Sequence, residues 1–236
     1  MDAKNTRARR LAVVIAILAV MAAAAFAACW MIKNRKQGDG AGDGKTQGIS
    51  TDRLYPKSME HLSELTEEEI EGSKTKDGGY CIYNVKTDKT SIAVPEEVKG
   101  FPVTEIEDYT FAGGNYEYIA IPDTVKRIGA AAFSECPDLI DVSLGEGLEL
   151  IGHNAFFGCP SLISVTIPEG TAIMDGQVFG ECSMLDNIYI PASVADFGDG
   201  TRILDVNTCL NAVVVTPEGS MAEAVCKEEK IPYRSN

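Results

Sequence analysis

Two histidines and seven cysteines are the residues of this chain with the widest chemical reach. A histidine titrates near neutral pH and can act as a base or a metal ligand. A thiolate can act as a nucleophile or a metal ligand. Neither set is spaced for that work. Cys136, Cys159 and Cys182 stand 23 residues apart, twice over. That is one position repeated, whereas zinc sites draw on cysteines in close pairs. Thiols are among the most buried side chains, so these three are expected in a core. An odd total leaves at least one thiol unpaired within the chain. His61 sits in a polar lead-in. His153 follows a turn glycine in "IGHNAFF", and the matching positions hold Ala130, Gly176 and Asp199. A column that varies so freely faces solvent. No glycine-rich phosphate loop follows a strand pattern. The expectation is no catalytic residue, no cofactor and no metal, because an enzyme needs polar groups that converge.

Self-alignment shows what the spacing means. The stretch "AAFSECPDLIDVSLGEGLELIGHNAFFGCPSLISVTIPEG", residues 131–170, states one phrase twice. Ile119, Val142, Val165 and Ile188 recur every 23 residues, as do Ile121, Leu144, Ile167 and Ile190. Phe133, Phe156 and Phe179 keep that step, and so do Leu139, Leu162 and Leu185. Ile128, Ile151, Met174 and Phe197 form another apolar column. Beside it runs a turn column of Gly129, Gly152, Asp175 and Gly198. One unit reads L-x-x-V-x-L/I-P-x-x-x-x-x-I-G-x-x-A-F-x-x-C. Its L-x-x-V-x-I part alternates with strand period, apolar side chains inward. Pro122, Pro168 and Pro191 end the strand without breaking a ladder bond. A-F-x-x-C is expected to cross the core as a short helical or 3₁₀ turn.

A unit this short cannot bury its own apolar face, but stacked units cover one another. The fold expected is therefore an α/β solenoid: a short leucine-rich repeat array with a parallel strand ladder on one face. "GGYCIYNVKTDKTSIAV" reads as strand, turn, strand, a hairpin-like N-cap. A first unit, "VPEEVKGFPVTEIEDYTF", carries extra residues around "GFP" that should bulge. Past Ile190 the pattern decays, with Arg202 where Phe is due and Asp205 where Cys is due. It returns in "LNAVVVTPEG", with Leu210, Val213 and Val215 as a last strand. Ser220 then caps a helix whose Met221, Ala224 and Val225 pack down.

The quoted segments resemble the leucine-rich repeats of BspA-like surface proteins. The match lies in "TVKRIGAAAFSECPDLIDVSL", "LELIGHNAFFGCPSLISVTIP" and "TAIMDGQVFGECSMLDNIYIP", with "VKGFPVTEIEDYTF" and "GSMAEAVCKEEKIPY" similar to the ends of such arrays. It extends over residues 80–236 in about five or six units. The resemblance implies a bacterial surface or secreted protein. It also implies non-covalent binding, in some members adhesion to host or matrix proteins.

The N-terminus carries a different signal. "MDAKNTRARR" is basic, and Leu11 to Ile32 is 22 residues without a charge. Such a run spans about 33 Å as a helix, enough for a bilayer core of about 30 Å. Trp30 sits at an interfacial position, and "KNRK" closes the run. Residues 1–10 are read as a basic cytoplasmic tail, 11–32 as a transmembrane signal-anchor and 33–50 as a flexible Gly/Asp-rich linker. Residues 51–79 form a lead-in, where Thr66 and Glu69 could box a short helix. Residues 80–236 form the repeat domain. Two alternatives stay open: cleavage near "AAFAA", and a lipid on Cys29 in "FAAC". The localisation expected is a single-pass cell-membrane protein with its repeats outside.

The solenoid leaves two outward columns available for recognition. Tyr118, Asp141, Ser164 and Asn187 form one; Ala120, Ser143, Thr166 and Tyr189 form the next. Asp123, Glu146 and Glu169 lie just past the strand ends. The chain holds 21 Lys and Arg against 35 Asp and Glu, a net charge of −14. That balance excludes nucleic acid and favours a basic ligand. The function expected is a membrane-anchored extracellular module that recognises a protein or glycan across Tyr118, Asp141, Ser143, Ser164, Thr166, Asn187 and Tyr189. The alternative is a structural envelope component with no discrete ligand.

Overall fold

A strand of three residues offers few ladder bonds, so it needs neighbours on both sides and a core beneath it. The chain meets both needs by repetition. The computed structural model describes residues 62–198, 203–205 and 207–235. The run 11–32, the linker 33–50, Cys29, His61 and Arg202 lie outside those residues. Among the described residues no helix is long and apolar enough to cross a membrane.

The main sheet has eight strands, all parallel. In sheet order they are β1 (Ser63–Glu64), β4 (Ser91–Ala93), β7 (Tyr118–Ala120), β9 (Asp141–Ser143), β11 (Ser164–Thr166), β13 (Asn187–Tyr189), β14 (Val213–Thr216) and β15 (Tyr233–Ser235). From β7 to β13 the middle residue of each strand is buried: Ile119, Val142, Val165 and Ile188. This is the expected ladder.

The repeat has a second ladder that the sequence did not announce. The column beginning at Ile128 is not merely a turn. β8 (Arg127–Ile128), β10 (Leu150–Ile151) and β12 (Ile173–Met174) pair in parallel and extend through β6 (Phe101–Ile106) to β3 (Tyr80–Val85). β8, β10 and β12, of two residues each, are too short to show a period of two. The edge strand is β2 (Ile70–Lys74), antiparallel to β3. The N-terminal hairpin is therefore β2–β3, not the expected β3–β4, because β3 and β4 belong to different sheets. Folded structure accordingly begins within 51–79 and not at residue 80. The Glu69 carboxylate does accept from the Thr66 amide at 2.8 Å, but the chain turns there into β2 and no helix follows. The "GFP" insertion bends back as β5 (Glu97–Val98), antiparallel to β6.

The A-F-x-x-C segment is neither α-helical nor 3₁₀. It is a tight turn closed by the Ser134 amide on the Ala131 carbonyl at 3.1 Å. Its other amides point along the stack: Ala131, Phe133 and Glu135 donate to the carbonyls of His153, Ala155 and Phe157 at 2.8, 2.8 and 2.7 Å. That direction requires left-handed backbone at Ala131 and Glu135, with φ of 52° and 57°. The array is thus a β-solenoid, not an α/β one. The only helix among the described residues is α1 (Met221–Glu229), capped by Ser220 as expected. It buries Ala222, Val225 and Cys226, while Met221 and Ala224 face out. Leu210, expected in the last strand, precedes it and is 74% exposed.

The interior is a stack of like on like. Phe111, Phe133, Phe156 and Phe179 lie parallel, with ring centroids 5.0, 5.1 and 5.6 Å apart. Gly152 sits against the preceding unit so closely that a Cβ there would lie 2.6 Å from the Ala130 nitrogen.

Candidate binding face

The repeated cysteine column lies in the core. Cys136, Cys159 and Cys182 are buried, and each thiol donates to the carbonyl of the preceding unit's phenylalanine, at 3.2, 3.1 and 3.1 Å. Cys209 continues the column, donating to Phe179 at 3.0 Å. It stands 27 residues after Cys182, so an insertion of four hid it, and Asp205 is not its replacement. Burial pushes the Cys182 thiol up to about 12. Such a group is not a thiolate at neutral pH and serves as a buried donor. His153 is exposed, as read from its column. Among the described residues no group of three or more His, Cys, Asp or Glu is placed to hold a metal ion.

The seven expected face residues all lie on adjacent strands of the eight-stranded sheet. Each follows from strand alternation: the middle residue points in, so its two neighbours point out. Pairing fixes two rows. Tyr118 faces Asp141, Asp141 faces Ser164, and Ser164 faces Asn187. In the second row Ala120 faces Ser143, and Thr166 faces Tyr189. Thr166 is exposed and the other six are half-buried. The hydroxyls of Tyr118, Ser143, Ser164, Thr166 and Tyr189 have no hydrogen-bond partner among the described residues. Asp141 is the distinctive charge of the face. Burial raises its carboxyl above the usual range, opposed only by the Val142 amide. Beyond the strands, Asp123 accepts the Glu146 amide at 2.9 Å, which ties two acidic loops together.

Sequence reasoning missed the two ends of this face. At one end β15 brings Arg234 beside Val215, and its guanidinium donates to the Asn187 amide oxygen at 3.2 Å. Arg234 lies 47 residues from Asn187, outside the 23-residue step, so no column pointed to it. At the other end Ala93 faces Ala120, and Glu64 faces Ala93. These extend the second row into an open groove of about 540 Å³ lined by Glu64, Ala93, Pro95, Glu96, Ala120 and Pro122 among others. The arrangement can bind without reacting: short polar side chains in rows, two tyrosines and carboxylates at the rim.

Residues 104–208 match the BspA type leucine rich repeat region in six copies. Among solved structures, the chain is similar to a leucine rich repeat protein of T. pallidum. Identity is 28%, over 65% of this chain and 71% of that one, with a TM-score of 0.60. It is also similar to a leucine rich cell surface protein from Faecalibacterium prausnitzii, at 26% identity over 66% of this chain and 39% of that one, TM-score 0.55. This chain therefore spans about two fifths of that second protein. No curated protein matches it.

Proposed function

Starting from a chain whose residues 104–208 match the BspA type leucine rich repeat region, we propose that it is a non-covalent recognition module acting through its eight-stranded sheet. The ligand is a protein or glycan, held across Tyr118, Asp141, Ser143, Ser164, Thr166, Asn187 and Tyr189. The observation that carries this reading is the convergence of those side chains in two rows, with hydroxyls that have no hydrogen-bond partner among the described residues. Their neighbours along the chain fill the core, so the face is positioned by a rigid interior. The two tyrosines supply contact area at little entropic cost. The module sits outside the cell on an anchor formed by residues 11–32; the support is the uncharged run in the sequence and the surface-protein name of the F. prausnitzii relative.

The test is affinity capture from intact cells and matrix extracts with the full-length chain. A variant with Tyr118, Asp141, Thr166 and Tyr189 all changed to alanine runs beside it. The two must first show the same thermal unfolding. A ligand held by the parent and lost by the variant is the expected result. Equal capture by both removes the function from this face, and capture of nothing leaves a structural envelope role in its place.

A further inference from the structure

The polar rows and the groove at their end are continuous, and their chemistry selects among ligands. The second row starts in the groove, whose lining includes the paired Ala93 and Ala120 and, two residues beyond each, Pro95 and Pro122. It runs out past Ser143 and Thr166 to Tyr189. Three strand spacings of about 4.8 Å put Tyr189 about 14 Å from Ala120. The row between them holds no long side chain, so a flat ligand can lie close to the backbone along its whole length.

The polar groups are acceptors and hydroxyls. Glu64 and Glu96 are exposed at the groove, and their carboxylates have no hydrogen-bond partner among the described residues. A carboxylate accepts two hydrogen bonds side by side, which suits a pair of adjacent hydroxyls. Serine and threonine hydroxyls donate and accept in turn. A tyrosine ring offers an apolar surface to the C–H face of a sugar while keeping its hydroxyl wet. The groove's volume lies within the range of small-ligand sites, whose apolar floors carry a few placed polar groups. The net charge of −14 repels sulfated or sialylated chains. A protein anchor would need a deep apolar or desolvated pocket, and the outward positions of β7, β9, β11 and β13 present short or polar side chains instead.

Resting on the recognition function proposed above, we propose that the groove at the ends of β4 and β7 and the second row out to Tyr189 bind a neutral oligosaccharide. One end of the sugar chain seats on Ala93 and Ala120 with Glu64 and Glu96 accepting its hydroxyls. The other end stacks on Tyr189.

The experiment uses the full-length chain in a detergent without sugar headgroups. It is probed against an array of neutral oligosaccharides, sialylated and sulfated glycans, and an oligolysine peptide. The strongest neutral oligosaccharide is then titrated into the parent, Ala120→Trp and Tyr189→Ala, each checked for unchanged melting. Ala120→Trp fills the groove from an outward position and leaves the core intact. The expected result is neutral glycan binding with no anionic binding, weakened at least about tenfold in both variants. Equal affinity in parent and variants overturns the assignment of the site. Binding only to anionic glycans or oligolysine, or to nothing on the array, overturns the ligand class. In that case the four-alanine capture experiment decides separately whether the face recognises anything, so the two readings fail independently.

Discussion

The turn stack and the strand face belong to the same repeats and obey opposite rules. In the turn stack the rings, thiols and stacking amides are answered by groups in a neighbouring unit. Phenylalanine lies on phenylalanine, thiol donates to carbonyl, and amide donates to carbonyl. On the strand face successive units carry Tyr118, Asp141, Ser164 and Asn187, four different chemistries at one position. The contrast teaches where each kind of constraint lies. Interior columns repeat because each unit is buried only by units like itself. The face is free to vary because water satisfies it, and that freedom is what a recognition surface requires.

If this division holds, damage to the stack should cost stability, and damage to the face should cost binding. The sharpest break is Phe156→Ala. It empties a site stacked at 5.1 Å on Phe133 and 5.6 Å on Phe179. A loss of about 3–5 kcal/mol is expected from the cavity, read as a lower denaturation midpoint in urea.

A gain should also be available in the turns. Glu135 is exposed with φ of 57°, while the same column holds Gly158 at φ 73°. Left-handed backbone costs a residue with a Cβ about 1–2 kcal/mol, and glycine's greater freedom when unfolded returns about half of that. Glu135→Gly is therefore expected to stabilise by about 0.5–1 kcal/mol in the same titration. A destabilised variant would mean the turn's conformation is set by something other than backbone direction.

The smallest effect is expected on the face. Burial raises the Asp141 carboxyl in the folded protein, so its ionised form costs the folded state. That cost is fully present above the raised folded value. It fades as pH falls through that value and is gone below the unfolded one, about 3.9. Asp141→Asn should melt slightly higher than the parent near pH 7. The difference should vanish near pH 3, and a gap that persists there would assign the effect to packing instead of charge.

The seven face residues were legible because strand alternation is local. Once Ile119, Val142, Val165 and Ile188 are assigned inward, their flanking residues can only point outward. Thr66 and Glu69 show the limit of local reading. Their contact forms as the capping pattern suggests, yet the chain continues as a strand because β3 offers it a partner. Cys209 was hidden by an insertion, and Arg234 by its distance from any column.

The sequence alone determined the period, the buried columns and the principal ladder, since each arises from side chains a few residues apart and is repeated often enough to exceed chance. Tertiary structure decided what depends on pairing between distant segments. In the second ladder β8, β10 and β12 have two residues each, too short to carry a pattern of their own, and they exist only because stacking brings their backbones into register. The left-handed turns at Ala131 and Glu135 exist for the same reason: the amide must point toward the next unit, and neither residue type announces it, although Asn154 and Gly158 in the same columns are types that favour that backbone. The groove and Arg234 reach the face through β4 and β15, whose places in the sheet are chosen by the core they cover.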